Sequence, residues 1–318
     1  MRHTKILLVI ILLIATANSA KAQFDGIYSQ YMHMKPYYNS ATIGEQEMMR
    51  VLIAQRLQWI GIKNAPKTTF FSANTPFKIK KTHHAAGVQF VNDLFGIYAN
   101  QQINLQYAYQ FKFEYGTLSL GTNIGMLSIT CNGDSVKIAE SEYHTAAAND
   151  PAIPLGKQNG IGFDMGLGIY FFNPTWYAGI SVMHLPGSKI RIGDKSSFKV
   201  YQTMTITGGY NIRIPDTEYQ IKPSALLYSD FVSWQAYISL MLDYKEKFWG
   251  GISYSIQNAL SFHFGAEIIN GLNIGYCYDL PTSMMIRATH GSHEIYLSYD
   301  FSIIKNNTNK KHKSIRIL

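Results

Sequence analysis

Between Ile103 and Glu114 the chain alternates almost without error. Ile103, Leu105, Tyr107, Tyr109, Phe111 and Phe113 share one parity; Asn104, Gln106, Ala108, Gln110, Lys112 and Glu114 share the other. A period of two is a β-strand whose faces meet different surroundings. The run is also long: globular strands average about 5–6 residues, whereas a tilted strand crossing a bilayer needs about 9–11. A water-soluble sheet would have to bury that aromatic face under a second layer. In a membrane barrel, lipid covers it.

The same rhythm recurs. Leu260, Phe262, Phe264 and Ala266 oppose Ser261, His263, Gly265 and Glu267, and Ile295, Leu297, Tyr299, Phe301 and Ile303 share one face of a final run. Strand-like runs fall at 48–58, 68–75, 85–92, 102–114, 117–129, 161–171, 176–183, 202–213, 219–227, 234–243, 249–257, 260–268, 272–279, 283–289 and 294–303. Turn signals such as Asn173-Pro174, Pro215-Asp216 and Asn270-Gly271 separate some of them. Fifteen runs conflict with the even strand number of bacterial barrels. The pattern therefore predicts an all-β, transmembrane antiparallel barrel of about 14 strands, within 12–16, occupying residues 45–303. Long connections at 130–160 and 184–201 contrast with short ones such as 172–175, the asymmetry expected of outer loops against periplasmic turns.

The compartment follows from the N-terminus. Arg2 and Lys5 precede an apolar run from Ile6 to Ala17, and Ala20-Lys21-Ala22 offers small residues for cleavage. This predicts a signal peptide over 1–22 and a mature chain beginning near Gln23. The residue after the cleavage point is Gln23 and not Cys, which argues against lipidation there. Only Cys131 and Cys277 are present, so a disulfide scaffold is excluded; two unpaired thiols are expected, with one long-range bridge as the alternative.

Charged residues make up 15% of the chain and aromatics 14%, with 22 tyrosines. Soluble domains carry about 25% charge, while rings suit the girdles at membrane–water boundaries. The formal charge of +8 is unevenly placed. Lys305, Lys310, Lys311, Lys313 and Arg316 supply five positive charges in a tail at 304–318, and Arg2, Lys5 and Lys21 supply three in the signal. The remainder is neutral, which argues against nucleic-acid binding.

Several motifs occur in a definite order. Tyr28-Ser29-Gln30-Tyr31-Met32 is followed by Tyr38-Asn39, then Gln55-Arg56-Leu57-Gln58-Trp59-Ile60-Gly61, Ala65-Pro66-Lys67-Thr68 and Ser72-Ala73-Asn74-Thr75-Pro76. Asn92-Asp93 with Gly96 and Tyr107-Ala108-Tyr109 come next. Gly275-Tyr276-Cys277-Tyr278-Asp279 precedes Gly291-Ser292-His293-Glu294-Ile295. Together, over roughly 23–301, they resemble the PorP/SprF family of outer-membrane proteins of the type IX secretion and gliding machinery of Bacteroidetes. One departure is Asn39-Ser40-Ala41-Thr42-Ile43-Gly44, where the family has Asn-Pro-Ala-Tyr-Ala-Gly.

Catalytic and metal signals are weak. Ser292, His293 and Glu294 are adjacent, but a triad is defined by geometry rather than adjacency. His290 with His293, or His83 with His84, would need an acidic partner to hold a metal. Asp134, Glu140, Glu142, His144 and Asp150 lack the fixed spacing of a calcium loop. Gly166-Leu167-Gly168 sits inside an alternating strand and does not open a helix, so it is no phosphate loop. No catalytic residue and no cofactor are expected. The family-motif positions singled out are Gln30, Tyr31, Asn39, Gln58, Trp59, Gly61, Pro66, Thr68, Asn92, Asp93, Gly291, Ser292, His293 and Glu294. The tail cations are candidate partner contacts.

The resemblance implies a non-enzymatic component that docks or anchors exported surface adhesins. It also implies contact with a periplasmic peptidoglycan-binding lipoprotein (PorE-like) and, through it, the secretion ring. Outer-membrane lipids surround such a barrel. A passive porin or uptake channel is the second class, permitted by Asn104, Gln106 and Lys112 on one parity; residues 23–44 would then decide between an open and a plugged lumen.

Overall fold

The computed structural model describes residues 25–135, 156–193 and 196–302. Strands β1 (Met49–Leu57), β2 (Lys67–Ile79), β3 (Thr82–Phe95), β4 (Tyr98–Phe113), β5 (Gly116–Asn132), β6 (Lys157–Phe172) and β7 (Trp176–Met183) form an antiparallel meander. A short hairpin of β8 (Lys189–Ile192) and β9 (Ser196–Lys199) interrupts it. The meander resumes with β10 (Thr203–Tyr210), β11 (Ile212–Arg213), β12 (Tyr219–Ser229), β13 (Trp234–Tyr244) and β14 (Phe248–Ser255). It ends with β15 (Ala259–Ile269), β16 (Leu272–Pro281) and β17 (Ser292–Phe301). β1 pairs with β17 and β10 with β12, so the sheet closes into a barrel of 14 strands; β8, β9 and β11 are additions to it.

The alternating faces resolve as lipid outside and protein inside. Asn104 is fully buried, whereas its neighbour Leu105 is 67% exposed. Ile103, Tyr107, Phe111 and Phe113 are exposed with Leu105, while Asn100, Gln102, Gln106 and Gln110 are buried with Asn104. Such an inverted distribution is stable only where hydrocarbon replaces water outside the wall. No helix among the described residues is long and apolar enough to cross a membrane, and the strands do the crossing.

Strand reading errs at one run. Residues 283–289 form no strand; Met284–Arg287 is a 3-10 turn opened by Ser283, whose hydroxyl accepts from the Met285 amide. Removing that run leaves an even number. Most wall strands extend past their expected limits, because polar ends such as Lys78 and Lys157 continue the ladder beyond the apolar band. Residues 202–213 divide into β10 and β11 at Asn211, and the 184–201 connection contains the β8–β9 hairpin. Cys131 and Cys277 are both buried free thiols.

The connections 58–66, 133–156, 184–202 and 282–291 leave one end of the barrel, the long-loop end. Tight turns occupy much of the other, where Gly271 (φ 86°) closes β15 to β16. At the long-loop end β8 folds inward over β5 and β6: Ile190 and Ile192 pack with Leu127, Ile129 and Cys131. A Cβ on Gly160 would lie 1.9 Å from the Arg191 carbonyl oxygen, so only glycine admits the hairpin there.

Candidate functional site

The polar inner face does not surround water alone. Residues 25–46 run inside the barrel from the long-loop end to the short-turn end, where β1 begins, and most of 27–44 is buried, with Met32, His33, Lys35 and Pro36 partly so. Proline at the second position of its only α-turn, Lys35–Tyr38, suits a helix start, where the missing amide is not needed. Asn39 then caps a 3-10 turn over Ser40–Thr42, its side chain accepting from the Ala41 amide at 2.9 Å.

The strongest anchor lies in the long-loop half. Arg56 on β1 stands directly opposite Glu294 on β17 across the closing seam, and its guanidinium bonds to Glu294. The same Nη1 donates to Asp279 Oδ2 on β16 at 2.8 Å. All three side chains are at most 5% exposed. The carboxylates in turn hold the inner segment: the Ser29 and Gln30 amides donate to Glu294 at 2.7 and 3.0 Å, and the Ser29 hydroxyl donates to Asp279 at 2.8 Å. Backbone amides aimed at ionised oxygens make charge-assisted bonds, about twice as strong as neutral ones. A buried ion cluster is costly unless satisfied in this way.

A second anchor holds Asp25. His184, just past β7, donates or accepts at both ring nitrogens, 3.0 Å from Asp25 and 2.9 Å from Asp164 on β6. Tyr228 and Gln102 donate to Asp25 as well. Burial opposes charge on both partners. Even so, His184 and its hydrogen bonds hold Asp25 below the ordinary carboxylate value, and Asp25 with Asp164 pushes His184 up to about 10. The pair is therefore ionised at neutral pH.

Towards the short-turn end the contacts are weaker and depend on shape. Lys35 bonds to Glu45 at 2.8 Å and to the Tyr170 hydroxyl at 3.0 Å, with both charged side chains partly exposed. Asn39 donates to the Ile169 and Ile180 carbonyls. Gly168 makes room for it: a Cβ there would lie 2.0 Å from Asn39 Oδ1. Gly121 does the same for the Ala41 backbone at 2.2 Å. Within Gly166-Leu167-Gly168 it is thus Gly168 that meets the inner segment, while Leu167 faces outward. Lys112 and Glu47 form a last, exposed ion pair.

The motif residues divide between this interior and the rim. Gln30, Tyr31, Asn39 and Glu294 meet at the inner segment, with Tyr31 bonded to Ser224 at 2.9 Å. Thr68 donates to Asp93 at 2.6 Å, beside Gly26, while Asn92 faces the other way and accepts from Gln101. At the rim, Gln58 donates from its amide to the Pro66 carbonyl, and the Trp59 amide donates to the Ser292 hydroxyl. Ile60 exchanges backbone bonds with His290 and Gly291 at 2.8 Å. Gly61 and Gly291 take positive φ, 101° and 86°, in these interlocked loops. Ser292 and Glu294 point inward while His293 lies on the outer face against Tyr276, so the three do not form a triad. His83 and His84 likewise occupy opposite faces of β3; His84 bonds to Thr82 and Tyr107. Asp134 accepts from the Gly156 amide. Glu140, Glu142, His144, Asp150, the signal and the tail cations Lys305, Lys310, Lys311, Lys313 and Arg316 lie outside the described residues.

Sequence reasoning left Arg56 and Asp279 inside quoted motifs without a role. A signal existed: each is a charge on the inward parity of its strand, Asp279 the lone one on β16 and Arg56 one of two on β1 with Arg50. The closure rule also sets the first strand beside the last, and hence Arg56 beside Glu294.

A closed antiparallel barrel with an apolar outer wall and a polar, protein-filled interior is an outer-membrane β-barrel. The chain belongs to the PorP/SprF family of type IX secretion system membrane proteins, which residues 20–299 match. Among solved structures it is similar to the Ralstonia pickettii toluene transporter TbuX, with a TM-score of 0.51 and 12% identity over 90% of this chain and 96% of that one. The CymD monoaromatic hydrocarbon channel gives 0.47 and 11%, over 91% and 97%. Acinetobacter baumannii Omp33 gives 0.46 and 10%, over 81% and 99%. At 12% identity the likeness to TbuX concerns the barrel fold alone. No curated protein sequence matches the chain.

Proposed function

We propose that this protein is a plugged docking barrel, which holds exported surface proteins at its outer rim and secretion machinery at its periplasmic edge. The observation that carries this reading is the inner segment, clamped by Arg56, Asp279 and Glu294 through the amides of Ser29 and Gln30. A lumen filled along its length by its own chain suits a rigid scaffold better than a passive channel.

Short turns face the periplasm in barrels of this class, which puts the interlocked loops 58–66 and 282–291 outside. They present Ile60, Met284 and Ile286 to solvent, with Met284 83% exposed. Apolar side chains on a braced rim suit a protein cargo such as an adhesin. The opposite edge, where β17 ends, precedes in sequence the tail cations Lys305, Lys310, Lys311, Lys313 and Arg316, which suit an acidic periplasmic partner: the peptidoglycan-binding lipoprotein and, through it, the ring.

The test is deletion of the gene, with restoration in trans by the wild type or by Met284→Asp/Ile286→Asp, followed by comparison of secreted and surface proteomes. Selective loss of one or a few exported proteins, restored by the wild type and not by the rim variant, is expected. An unchanged proteome with altered small-solute uptake would overturn the reading in favour of a channel.

A further inference from the structure

The barrel wall is not equally continuous all round. The β10–β12 ladder runs from Met204↔Ser229 to Gly209↔Ser224, and pairing resumes in the same register only at Ile212↔Ile221. Tyr210 and Asn211 are left opposite Pro223 and Lys222 without a rung. The cause is local: Pro223 has no amide to donate, and proline within a sheet is tolerated where a ladder bond is already absent.

A pit of about 630 Å³ opens at this interruption, within the range of about 300–1,000 Å³ typical of small-molecule sites. Trp176, Gly208, Tyr210, Pro223, Ala225 and Ile238 line it. Gly208 and Ala225 are cross-strand partners, so two minimal side chains meet on the outward face at this seam. Tyr210 and Ile238 are 46% and 60% exposed, as elsewhere on the lipid-facing surface. The inner side is closed, since Ser224 meets Tyr31 of the inner segment at 2.9 Å. Access is therefore from the membrane.

We infer that this pit is a binding site for one acyl chain of a glycerophospholipid. The lining is mostly apolar, with Ser224 and Ser239 its polar members, the opening is continuous with the surface that lipid must cover, and Trp176 and Tyr210 stand at the short-turn ends of β7 and β10. Amphipathic rings at that level sit where headgroups begin. The seated chain fills the hollow beside the missing rungs, where the Asn211 amide is already held by the Thr175 carbonyl at 2.6 Å and Tyr210 is paired with Trp176 on β7. The leaflet concerned is the periplasmic one if the short-turn end faces the periplasm; binding itself does not depend on that orientation.

The test uses full-length protein in phosphatidylethanolamine/phosphatidylglycerol vesicles doped with a phosphatidylethanolamine bearing a photoactivatable diazirine in its acyl chain, which presents the probe in both leaflets. Cross-links mapped by peptide mass spectrometry are expected to concentrate on 203–210 and 219–244, relative to the opposite wall at 49–79. Gly208→Phe fills the pit; a Cβ there meets only the Tyr177 carbonyl oxygen, at an ordinary 3.6 Å. It should lower the local yield about tenfold, the factor that about 1.4 kcal/mol represents, with the opposite wall unchanged. Ala225→Leu, a smaller intrusion, provides a second variant, and heat-modifiable migration reports folding of both. Cross-links spread evenly round the wall, or a yield unmoved in either folded variant, would overturn the proposal.

Discussion

The two ends of the inner segment are held by different chemistry. In the long-loop half, buried carboxylates grip backbone amides, and Asp25 sits in a nearly dry nest with His184. Near the short turns the segment relies on Asn39, on wall glycines that let it approach, and on ion pairs partly or well exposed to solvent. Exposed pairs contribute little, whereas breaking a buried one strands a charge. The segment is thus fixed firmly at its start and lightly where it joins β1. Any loosening begins at the short-turn end.

The sharpest way to break this contrast is Arg56→Met. It leaves Asp279 and Glu294 buried without their cation, at a cost of about 3–5 kcal/mol, and should expose residues 25–46 to added protease in the folded barrel and raise single-channel conductance. Adding Asp279→Asn and Glu294→Gln should recover part of the protection. Protection left intact by Arg56→Met would show that the ion cluster does not hold the segment.

The Asp25–His184 anchor makes the contrast depend on pH. A raised imidazole contributes stability in full below its ordinary value of about 6.5, and that contribution is lost as pH rises through about 10. The lowered Asp25 contributes above the ordinary carboxylate value and is lost as pH falls through its depressed one. With the base-catalysed intrinsic rate divided out, protection of the 25–30 amides should therefore fall on the alkaline side, between about 6.5 and 10. His184→Gln should flatten that response and cost about 1.5–3 kcal/mol at neutral pH. Protection factors independent of pH in the wild type would remove the anchor from the account.

The smallest effect belongs to Lys112→Met. Its pair with Glu47 is exposed on both sides, so protection of 25–46 should change by about 0–1 kcal/mol. A larger loss would mean that the lower end is held as tightly as the upper one.

The wall was legible because its rule is local. Leu105 and Asn104 differ by one residue and by a whole environment, and that alternation survives without any knowledge of neighbouring strands. Residues 283–289 misled because apolar content there, Met284, Met285 and Ile286, is not accompanied by alternation, and Ser283 offers a cap that favours a turn. The interior was largely hidden. Arg56 lies 223 residues from Asp279 and 238 from Glu294, and only closure of the sheet makes them neighbours. The inner segment has no period to read, since its turns fit a cavity rather than a repeating surface. The short β10–β12 ladder was equally obscure, although Pro223 inside a strand-like run marks the place.

The ion cluster also has a history in time. Arg56 belongs to the first strand to be made, and its partners to the last two. No partly zipped sheet contains the cluster, because its members meet only when the final seam shuts. Until then Ser29 and Gln30 have no carboxylates to receive their amides, and the start of the chain gains its firmest hold after every other strand is in place. The clamp therefore reports completion of the barrel: a molecule truncated before β16 would carry the same leading segment with only the Asp25–His184 anchor and the weaker contacts near the short turns to secure it.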